Sequence, residues 1–420
     1  MLAYLLKETG MNFKSSYWLL VLFALVLGAC SPKTSPTKAK TKKPTEREKP
    51  KTKEKEETTT KKPIKKFTQA AISLLVPFKL DELHLKTATK ADIEKYAMPI
   101  DFYQGFKLGL DSAADGLNFK LNVFDTQDDN AHISVLYKNE RFKQSNLIIG
   151  PVFPEGQKYI AAYAKENNAL VVSPLAASAP SEFNNPNLIS IVNNIDLHGK
   201  KIAAYIARKY NPNNTIVVFI NPKKTEDEQF ASPIREYLRS NTKFIIQEYA
   251  SAYSYETHMI KGKQYVVVLT SADRAFVLPT IEKLYKLKNL PTGGYNINLF
   301  GHPNWVKQNY PTEKVQALNT IISSSYKIDY KHPGTIAFIK RYRHNYGFEP
   351  GEYAFKGFDI GFYFGKLLST YGEDYADYIT KEKYKGLHNN FSFIYDDKLG
   401  YINTSLMLLE YKDFALNVVN

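Results

Sequence analysis

Short, continuous apolar runs alternate with stretches of helical periodicity through residues 67–420. The runs are rich in Val or Ile, which is typical of strands that are buried on both faces of a sheet. The pattern predicts ten strands, at 71–76, 121–125, 147–150, 170–173, 188–192, 215–220, 244–248, 265–270, 298–301 and 320–324.

Helical stretches fill the gaps between the predicted strands. They are predicted at 100–114, 155–167, 196–209, 231–240 and 274–287. In the second of them Ile160, Tyr163 and Ala164 share one face at helical spacing. Regular alternation of strand and helix predicts parallel sheets with right-handed crossovers, and five strands followed by five more predict two such sheets in tandem. The predicted fold class is therefore α/β, with two Rossmann-like parallel-sheet lobes.

A separate apolar run of eleven residues, 17–27, lies near the N-terminus behind the weakly basic segment 11–14. A membrane-spanning helix needs about 20 apolar residues, so this run is too short to remain as a span. It leads into LGAC at 27–30, where Cys30 is the only cysteine of the chain. The arrangement resembles the signal peptide and lipobox of bacterial lipoproteins, which implies a signal over 1–30 and a lipid on Cys30.

The alternative to the lipoprotein interpretation is a buried free cysteine that follows a plain secretory signal. If Cys30 is acylated, the rest of the chain lies outside the cytoplasm. Ser31 follows it in place of an aspartate, and resemblance to lipoprotein sorting rules then favours the outer membrane.

Residues 31–66 consist almost entirely of Lys, Thr, Pro, Glu and Ser. Fourteen Lys or Arg against five Glu give this segment +9 of the chain's net +14. With so few apolar side chains it is predicted to be a disordered tether that spans roughly 33 Å on average. One interpretation is a solvated spacer. The other is a segment that binds weakly, through its positive charge, to anionic lipid headgroups or acidic wall polymers. The predicted compartment argues against nucleic acid as a partner.

Three loops at the carboxyl ends of predicted strands combine small residues with proline. They are GPVFP at 150–154, SPLAAS at 173–178 and GHPNW at 301–305. Ligands of open parallel sheets bind beyond these strand ends, and such loops expose backbone N–H groups on a rigid frame. The loops therefore predict a site for a small polar ligand, although ordinary loops without a binding function have the same composition.

Three segments together resemble type I periplasmic binding proteins of the branched-chain amino acid receptor kind. They are 148–178, 299–305 and 349–372. The pattern is most similar to lipid-anchored or LysM-bearing homologues of the Bacteroidetes, with the basic tether in the place of a LysM module. The resemblance implies a three-strand hinge between lobe 1, at 67–194 plus 325–400, and lobe 2, at 195–324 plus 401–420. A ligand cleft would lie between the lobes.

The resemblance also implies where a ligand would be held. Family members that bind amino acids use a hydroxyl after the Gly-Pro pair, where this chain has a proline and Glu155. Ala176, Ala177 and Ser178 match the loop that offers backbone N–H groups and a hydroxyl to the ligand carboxylate. Asn304 stands where the family has an acid for the ammonium group. The expected ligand is thus a small polar molecule: an amino acid, a peptide or a sugar-like solute.

Aromatic residues complete the predicted site. Phe153, Trp305, Tyr253 and Tyr255 are candidates for the cleft mouth, with burial in the core as the alternative for each. The predicted ligand-binding set is Phe153, Glu155, Ala176, Ala177, Ser178, Tyr253, Asn304 and Trp305. Asp359, which follows Phe358 where the family has a Tyr-Asp pair, is predicted to be a structural helix residue rather than a ligand contact.

The sequence offers no pattern for catalysis. It has no Gly-x-Ser-x-Gly elbow, no Gly-x-x-x-x-Gly-Lys-Ser/Thr loop and no His-x-x-x-His pair among its eight histidines. We therefore expect a non-enzyme without metal or cofactor. The main hypothesis is a lipid-anchored periplasmic protein that captures a solute in its cleft, with an ABC permease as partner. The alternative is a non-catalytic adaptor that activates a cell-wall synthase through protein contacts.

Overall fold

The structure, a computed structural model, describes residues 67–82 and 86–419. Its helices are α1 (Lys90–Lys95), α2 (Ala97–Ala113), α3 (Asn130–Leu136), α4 (Glu140–Lys143), α5 (Pro154–Glu166), α6 (Ile195–Lys209), α7 (Thr225–Asn241), α8 (Ala252–Glu256), α9 (Arg274–Lys288), α10 (Thr312–Ala317), α11 (Pro333–Tyr346) and α12 (Glu352–Tyr371). The signal peptide and tether predicted for 1–66, with the lipid attachment residue Cys30, lie outside the described residues.

Sixteen strands are described. They are β1 (Gln69–Val76), β2 (Asn118–Asp125), β3 (Leu147–Ile149), β4 (Val171–Ser173), β5 (Leu188–Ser190), β6 (Thr215–Ile220), β7 (Ile245–Tyr249), β8 (Gln264–Leu269), β9 (Asn296–Gly301), β10 (Ile321–Ser324), β11 (Tyr384–Lys385), β12 (Asn390–Phe391), β13 (Phe393–Asp396), β14 (Gly400–Asn403), β15 (Met407–Lys412) and β16 (Ala415–Val418). Each of the ten predicted strands is present, with ends within three residues of the prediction.

The strands form two seven-stranded sheets with the same internal plan. One has the order β13-β14-β5-β4-β3-β1-β2, and the other has the order β16-β15-β10-β9-β8-β6-β7. Strands β1 to β5 are mutually parallel in the first sheet, and β6 to β10 are mutually parallel in the second. In the first sheet β14 joins β5 in parallel and only the edge strand β13 is antiparallel to its neighbour, whereas in the second sheet β15 is antiparallel to β10 and β16 is antiparallel to β15. The two-lobed α/β fold predicted from the sequence is confirmed. We call the first sheet with its helices lobe 1 and the second lobe 2.

The core explains why the strands are so apolar. Ile72 and Leu74 in β1, and Val266, Val267 and Val268 in β8, have no exposed surface because helices cover both faces of each sheet. A strand buried on both faces needs apolar residues at every position. None of the described helices combines the length and apolar content that a membrane span requires.

The chain passes between the lobes three times, after β5, after β10 and after β14. The last crossing lies after Asn403, three residues later than the predicted boundary at 400. The reason is that Gly400–Asn403 pairs with β13 and with β5 and so belongs to lobe 1. Asn193 Nδ2 donates to the carbonyl oxygen of Asn403 at 2.7 Å, and Asn403 Nδ2 donates to that of Ile191 at 3.0 Å. Two of the three crossings are thereby joined side by side.

Helices α2 and α12 of lobe 1 pack backbone against backbone. The contact is made at four glycines, Gly105 and Gly109 in α2 and Gly357 and Gly361 in α12. A Cβ placed on Gly105 would lie 1.9 Å from the carbonyl oxygen of Ala354, and one on Gly361 would lie 2.3 Å from that of Phe106. Side chains larger than hydrogen therefore cannot be accommodated at this contact unless the helices separate.

Asp359 of α12 is completely buried and holds the loop 386–389 in place. Its Oδ1 accepts hydrogen bonds from the Tyr384 hydroxyl and the Leu387 N–H, and its Oδ2 accepts from the N–H groups of His388 and Asn389, at 2.8–3.0 Å. Burial raises the pKa of Asp359, and the three backbone N–H groups oppose that rise. The structural role predicted for this residue agrees with these contacts.

Candidate functional site

A cleft of about 980 Å³ lies between the lobes, at the carboxyl ends of the parallel strands. Both lobes and the first two crossings contribute to its walls. Lobe 1 contributes 152–154, 175–179, Tyr353 and Lys356. Lobe 2 contributes 271–273 and most residues of 224–229 and 302–307. The crossings contribute 192–196 and 324–326. Phe153, Ala176, Ala177, Ser178 and Asn304 of the predicted set are among the lining residues.

The loop 176–178 presents unused donors to the cleft. Within the part of the chain that the structure describes, no hydrogen bond engages the backbone N–H groups of Ala176, Ala177 and Ser178 or the Ser178 hydroxyl. Ala177 is exposed and Ser178 is partly exposed, so these donors are open to the cleft. A ligand oxygen, especially an anionic one, can accept hydrogen bonds from them.

Glu155 does not face this cleft. Its carboxylate lies 2.9 Å from Lys158 Nζ on the same helix, and about three-quarters of its side chain is exposed. It lines a separate cavity of about 180 Å³ with Asp128 and Asp129. Glu155 is the second residue of α5 and is absent from the residues that line the cleft, so its charge is not placed to repel a ligand carboxylate there.

Three of the predicted aromatic residues are also absent from the lining. Trp305 has no exposed surface, packs in the lobe 2 core and donates its indole N–H to the carbonyl oxygen of Ser271 at 2.9 Å. Tyr255 is likewise fully buried in that core. Tyr253 is 61% exposed on α8, where Lys283 lies over its ring. The side chains of Trp305 and Tyr255 lie away from the cleft because they fill the lobe 2 core.

The aromatic rings that do line the cleft are Phe153, Tyr326 and Tyr353. Lys356 lies over the rings of Tyr326 and Tyr353, with its Nζ 5.6 and 5.4 Å from their centroids. Burial lowers the pKa of Lys356. Sequence reasoning missed Tyr326, Tyr353 and Lys356, although the last two stand in the segment 349–372 that carried the family resemblance.

Glu352 lies behind this wall and carries a negative charge. Its Oε1 lies 3.2 Å from Lys356 Nζ and 3.9 Å from Nζ of Lys307, which belongs to lobe 2. Burial acts to raise the pKa of Glu352, but His388, Lys356 and Lys307 outweigh it and hold the pKa at about 2. The carboxylate is thus ionised at neutral pH and attracts Lys307 of lobe 2.

Two buried histidines form part of the lobe 2 side. His198 contacts the hydroxyls of Ser323 and Ser325 at 2.9 and 3.2 Å, and burial lowers its pKa to about 3. Burial lowers the pKa of His302 to about 4, and its Nδ1 accepts the N–H of Asn304 at 3.1 Å. Both rings are neutral at pH 7, so they act as hydrogen-bonding groups rather than charges.

Asp227 is a further lining residue that sequence reasoning missed. It lies in the first turn of α7, which begins at Thr225, six residues before the predicted start. The turn is polar and acidic and lacks apolar periodicity, and acidic residues are favourable at a helix N-terminus.

Among the described residues no group of three or more His, Cys, Asp or Glu side chains is arranged to hold a metal ion.

Solved structures share this fold over 84% of the chain. A protein of Rhodospirillum rubrum, named as a branched-chain amino acid ABC transporter, is 14% identical, is covered over 100% of its length and has a TM-score of 0.60. A branched-chain amino acid ABC transporter periplasmic ligand-binding protein of Burkholderia xenovorans is 16% identical and 95% covered, with a TM-score of 0.54. An ABC transporter substrate-binding protein of Desulfitobacterium hafniense, solved with Leu, is 13% identical and 100% covered, with a TM-score of 0.51.

At these identities the likeness establishes the fold, which is that of the type I periplasmic binding proteins. No family model matches the chain. No curated protein matches it either.

Proposed function

We propose that this protein is a lipid-anchored solute-binding protein that captures a small polar ligand in the cleft between its lobes and passes it to an ABC permease. The observation that carries the proposal is the cleft itself, which both lobes line and in which the loop 176–178 leaves its donors unused. The fold neighbours are described as ABC transporter proteins, and one of them was solved with a bound amino acid.

The shape and chemistry of the cleft support a ligand larger than a single small amino acid. Ligand pockets commonly measure about 300–1,000 Å³ and combine apolar walls with a few polar groups. This cleft, at about 980 Å³, is at the upper end of that range. Phe153 and Tyr353 offer ring faces for stacking, and the N–H groups of 176–178 offer donors for a carboxylate, a carbonyl or sugar hydroxyls. A peptide or a sugar-like solute fits these features together.

A thermal-shift screen of the full-length protein tests the proposal against amino acids, short peptides, sugars and muropeptides. A ligand present at 100 times its dissociation constant should add about 2.7 kcal/mol to the free energy of unfolding. Ala177→Phe, which places a ring in the cleft, should abolish the shift. Ala415→Phe, at an exposed strand position far along the chain, should leave it unchanged. No shift with any compound, together with co-purification of a cell-wall synthase, would favour the adaptor alternative.

The lipid anchor has its own test. In Cys30→Ala the sulfur that would carry the lipid is missing, so we expect the protein to move from the membrane fraction to the soluble fraction of the cell. Ser31→Asp keeps the cysteine and should leave the protein membrane-bound, with a change from outer to inner membrane. Membrane fractionation and mass spectrometry of the N-terminal peptide measure both outcomes. An unmodified Cys30 in the native protein contradicts the anchor but leaves the cleft proposal intact.

A further inference from the structure

A cavity of about 580 Å³ lies in lobe 1 at the end of the parallel strands that is opposite to the cleft. Its lining includes residues 145–146, 168–170 and 186–187, which directly precede β3, β4 and β5. The amino ends of these parallel strands meet there, whereas the cleft lies at the carboxyl ends. The cavity shares no lining residue with the cleft and is a separate feature of the fold.

Side-chain amides and tyrosine rings make up about half of the residues that line this cavity. They are Asn146, Asn167, Asn168 and Asn187, with Tyr163, Tyr375, Tyr395 and Tyr401. The rings of Tyr395 and Tyr401, which are paired directly across β13 and β14, lie 4.8 Å apart. Tyrosine and asparagine together provide a rigid amphipathic surface with adaptable hydrogen bonding, a combination that is typical of binding faces.

Part of the hydrogen-bonding capacity of this lining is used by the fold. Asn146 Oδ1 accepts a backbone N–H of β1 at 2.8 Å, and Nδ2 of both Asn167 and Asn187 donates to a carbonyl oxygen of α5 at 2.9 Å. Among the described residues, no partner engages Asn146 Nδ2, the Asn168 side-chain amide or the hydroxyls of the two paired tyrosines. Donors and acceptors are thus both available, and hydroxyl groups, which donate and accept, complement such a mixture.

The lining carries no net charge. Lys143 and Glu373 are the charged residues among those described at the cavity, one of each sign. Lys143 Nζ already lies 2.8 Å from the carboxylate of Glu140 on the same helix, and the exposed Glu373 would repel an anion. A neutral ligand rich in hydroxyl groups therefore suits this lining, and the cavity volume is within the range of about 300–1,000 Å³ that ligand pockets commonly have.

We propose that this cavity is a second binding site, for a neutral oligosaccharide, with a sugar ring on Tyr395 and sugar hydroxyls on the amides of Asn146 and Asn168. The face of an aromatic ring is electron-rich, so it attracts the C–H groups on the apolar face of a sugar ring. Tyr395 is 47% exposed, which leaves its ring accessible for that contact. The inference does not depend on solute capture in the cleft.

The position of the cavity fits a role in holding the protein to a glycan. Asn146 contacts β1 through its side chain, so the cavity lies beside the start of the strand that follows Phe67, the first described residue. The predicted tether joins lobe 1 at this end of the sheet. A glycan bound here would leave the cleft at the other end of the strands open to solutes.

Isothermal titration of the full-length protein with neutral and anionic trisaccharides tests the site. The neutral probes are cellotriose and triacetylchitotriose, which separate plain from N-acetylated sugars, and trigalacturonate is the anionic counterpart. We expect at least one neutral probe to bind, roughly tenfold more tightly than trigalacturonate. The binding should persist in Ala177→Phe, in which the cleft is blocked, because the two sites share no residue.

Two substitutions should each weaken the neutral probe roughly tenfold in that background. Tyr395→Ala removes the exposed ring, and Asn146→Asp removes the free donor but keeps the acceptor for the N–H of β1. Ile394→Ala is the matched control, since residue 394 is 53% exposed on the same strand and its side chain lies on the other face. It should bind like the parent protein.

Three results would overturn the inference: no binding of either neutral probe, tighter binding of trigalacturonate, or affinity that both Tyr395→Ala and Asn146→Asp leave unchanged. Binding that disappears in Ala177→Phe would assign the sugar to the cleft and would overturn it as well. The thermal shift produced by a cleft ligand should be the same in Tyr395→Ala as in wild type. Failure of this second site would therefore leave the proposed solute capture standing.

Discussion

Replacing Asp359 with alanine is expected to destabilise the protein by roughly 4 kcal/mol. The substitution removes both carboxylate oxygens and leaves three buried backbone N–H groups and one hydroxyl without acceptors. Each buried donor left unsatisfied costs about 1–3 kcal/mol, with some recovery where water can enter. Urea unfolding followed by far-ultraviolet circular dichroism measures the loss.

The same change should loosen a crossing between the lobes. The loop 386–389 that Asp359 holds contacts the second crossing, since Lys327 N–H donates to the carbonyl oxygen of His388 at 3.1 Å and Asn389 Nδ2 donates to that of Ser325 at 3.1 Å. The matched control is Tyr384→Phe, which removes only one donor to Asp359 and should cost about 1 kcal/mol. A loss in Asp359→Ala no larger than that of the control would contradict the buried-network account.

The second large effect is expected for Gly361→Ala. A methyl group at this position would lie 2.3 Å from the carbonyl oxygen of Phe106, which is backbone and cannot rotate away. Overpacking of a core costs about 1–3 kcal/mol, and we expect about 3 kcal/mol here because the two helices must move apart. The gain of up to about 1 kcal/mol from alanine's higher helix propensity offsets only part of the loss. Thermal and urea unfolding measure the difference.

Gly365→Ala is the control for this change on the same helix. There the closest atoms to an added methyl are side-chain carbons, Ala113 Cβ at 2.9 Å and Leu110 Cδ2 at 3.2 Å. The Leu110 side chain can rotate away, and Ala113 is the last residue of α2, so only the end of that helix has to move. We therefore expect a change in stability within about 1 kcal/mol of wild type. Equal losses of stability in the two variants would mean that the backbone contact with Phe106 does not determine which residue position 361 can hold.

Much of the architecture could be predicted because it depends on local pattern. The strand prediction at 215–220 matches β6 residue for residue, since burial on both faces leaves an unbroken apolar signal there. The prediction for α7 began six residues late, because its first turn carries Thr225, Glu226 and Asp227 in place of apolar periodicity. The short helix Asn130–Leu136 was missed for a related reason, as it buries only Ile133 and Leu136.

The site was predicted less completely, because the direction of a side chain depends on the surrounding fold. Phe153, Ser178 and Asn304, which were chosen for their proximity to a strand end, line the cleft. The same argument failed for Trp305, the next residue after Asn304, because its ring turns inward and fills the lobe 2 core. Lys356 could not be assigned from spacing alone, since its cleft position depends on contacts with Tyr326 from another part of the chain.

The glycine contact between α2 and α12 has a consequence for the proposed ligand capture. Tyr353 and Lys356 are carried on a helix whose backbone is fixed against its neighbour, and the Lys356 side chain is confined by two rings and by Glu352. This wall is preorganised, so an incoming solute would lose little affinity to the ordering of rotamers there. Solutes of different size would then be accommodated by movement of lobe 2. Such a movement would leave Lys356 and the two rings beneath it in place.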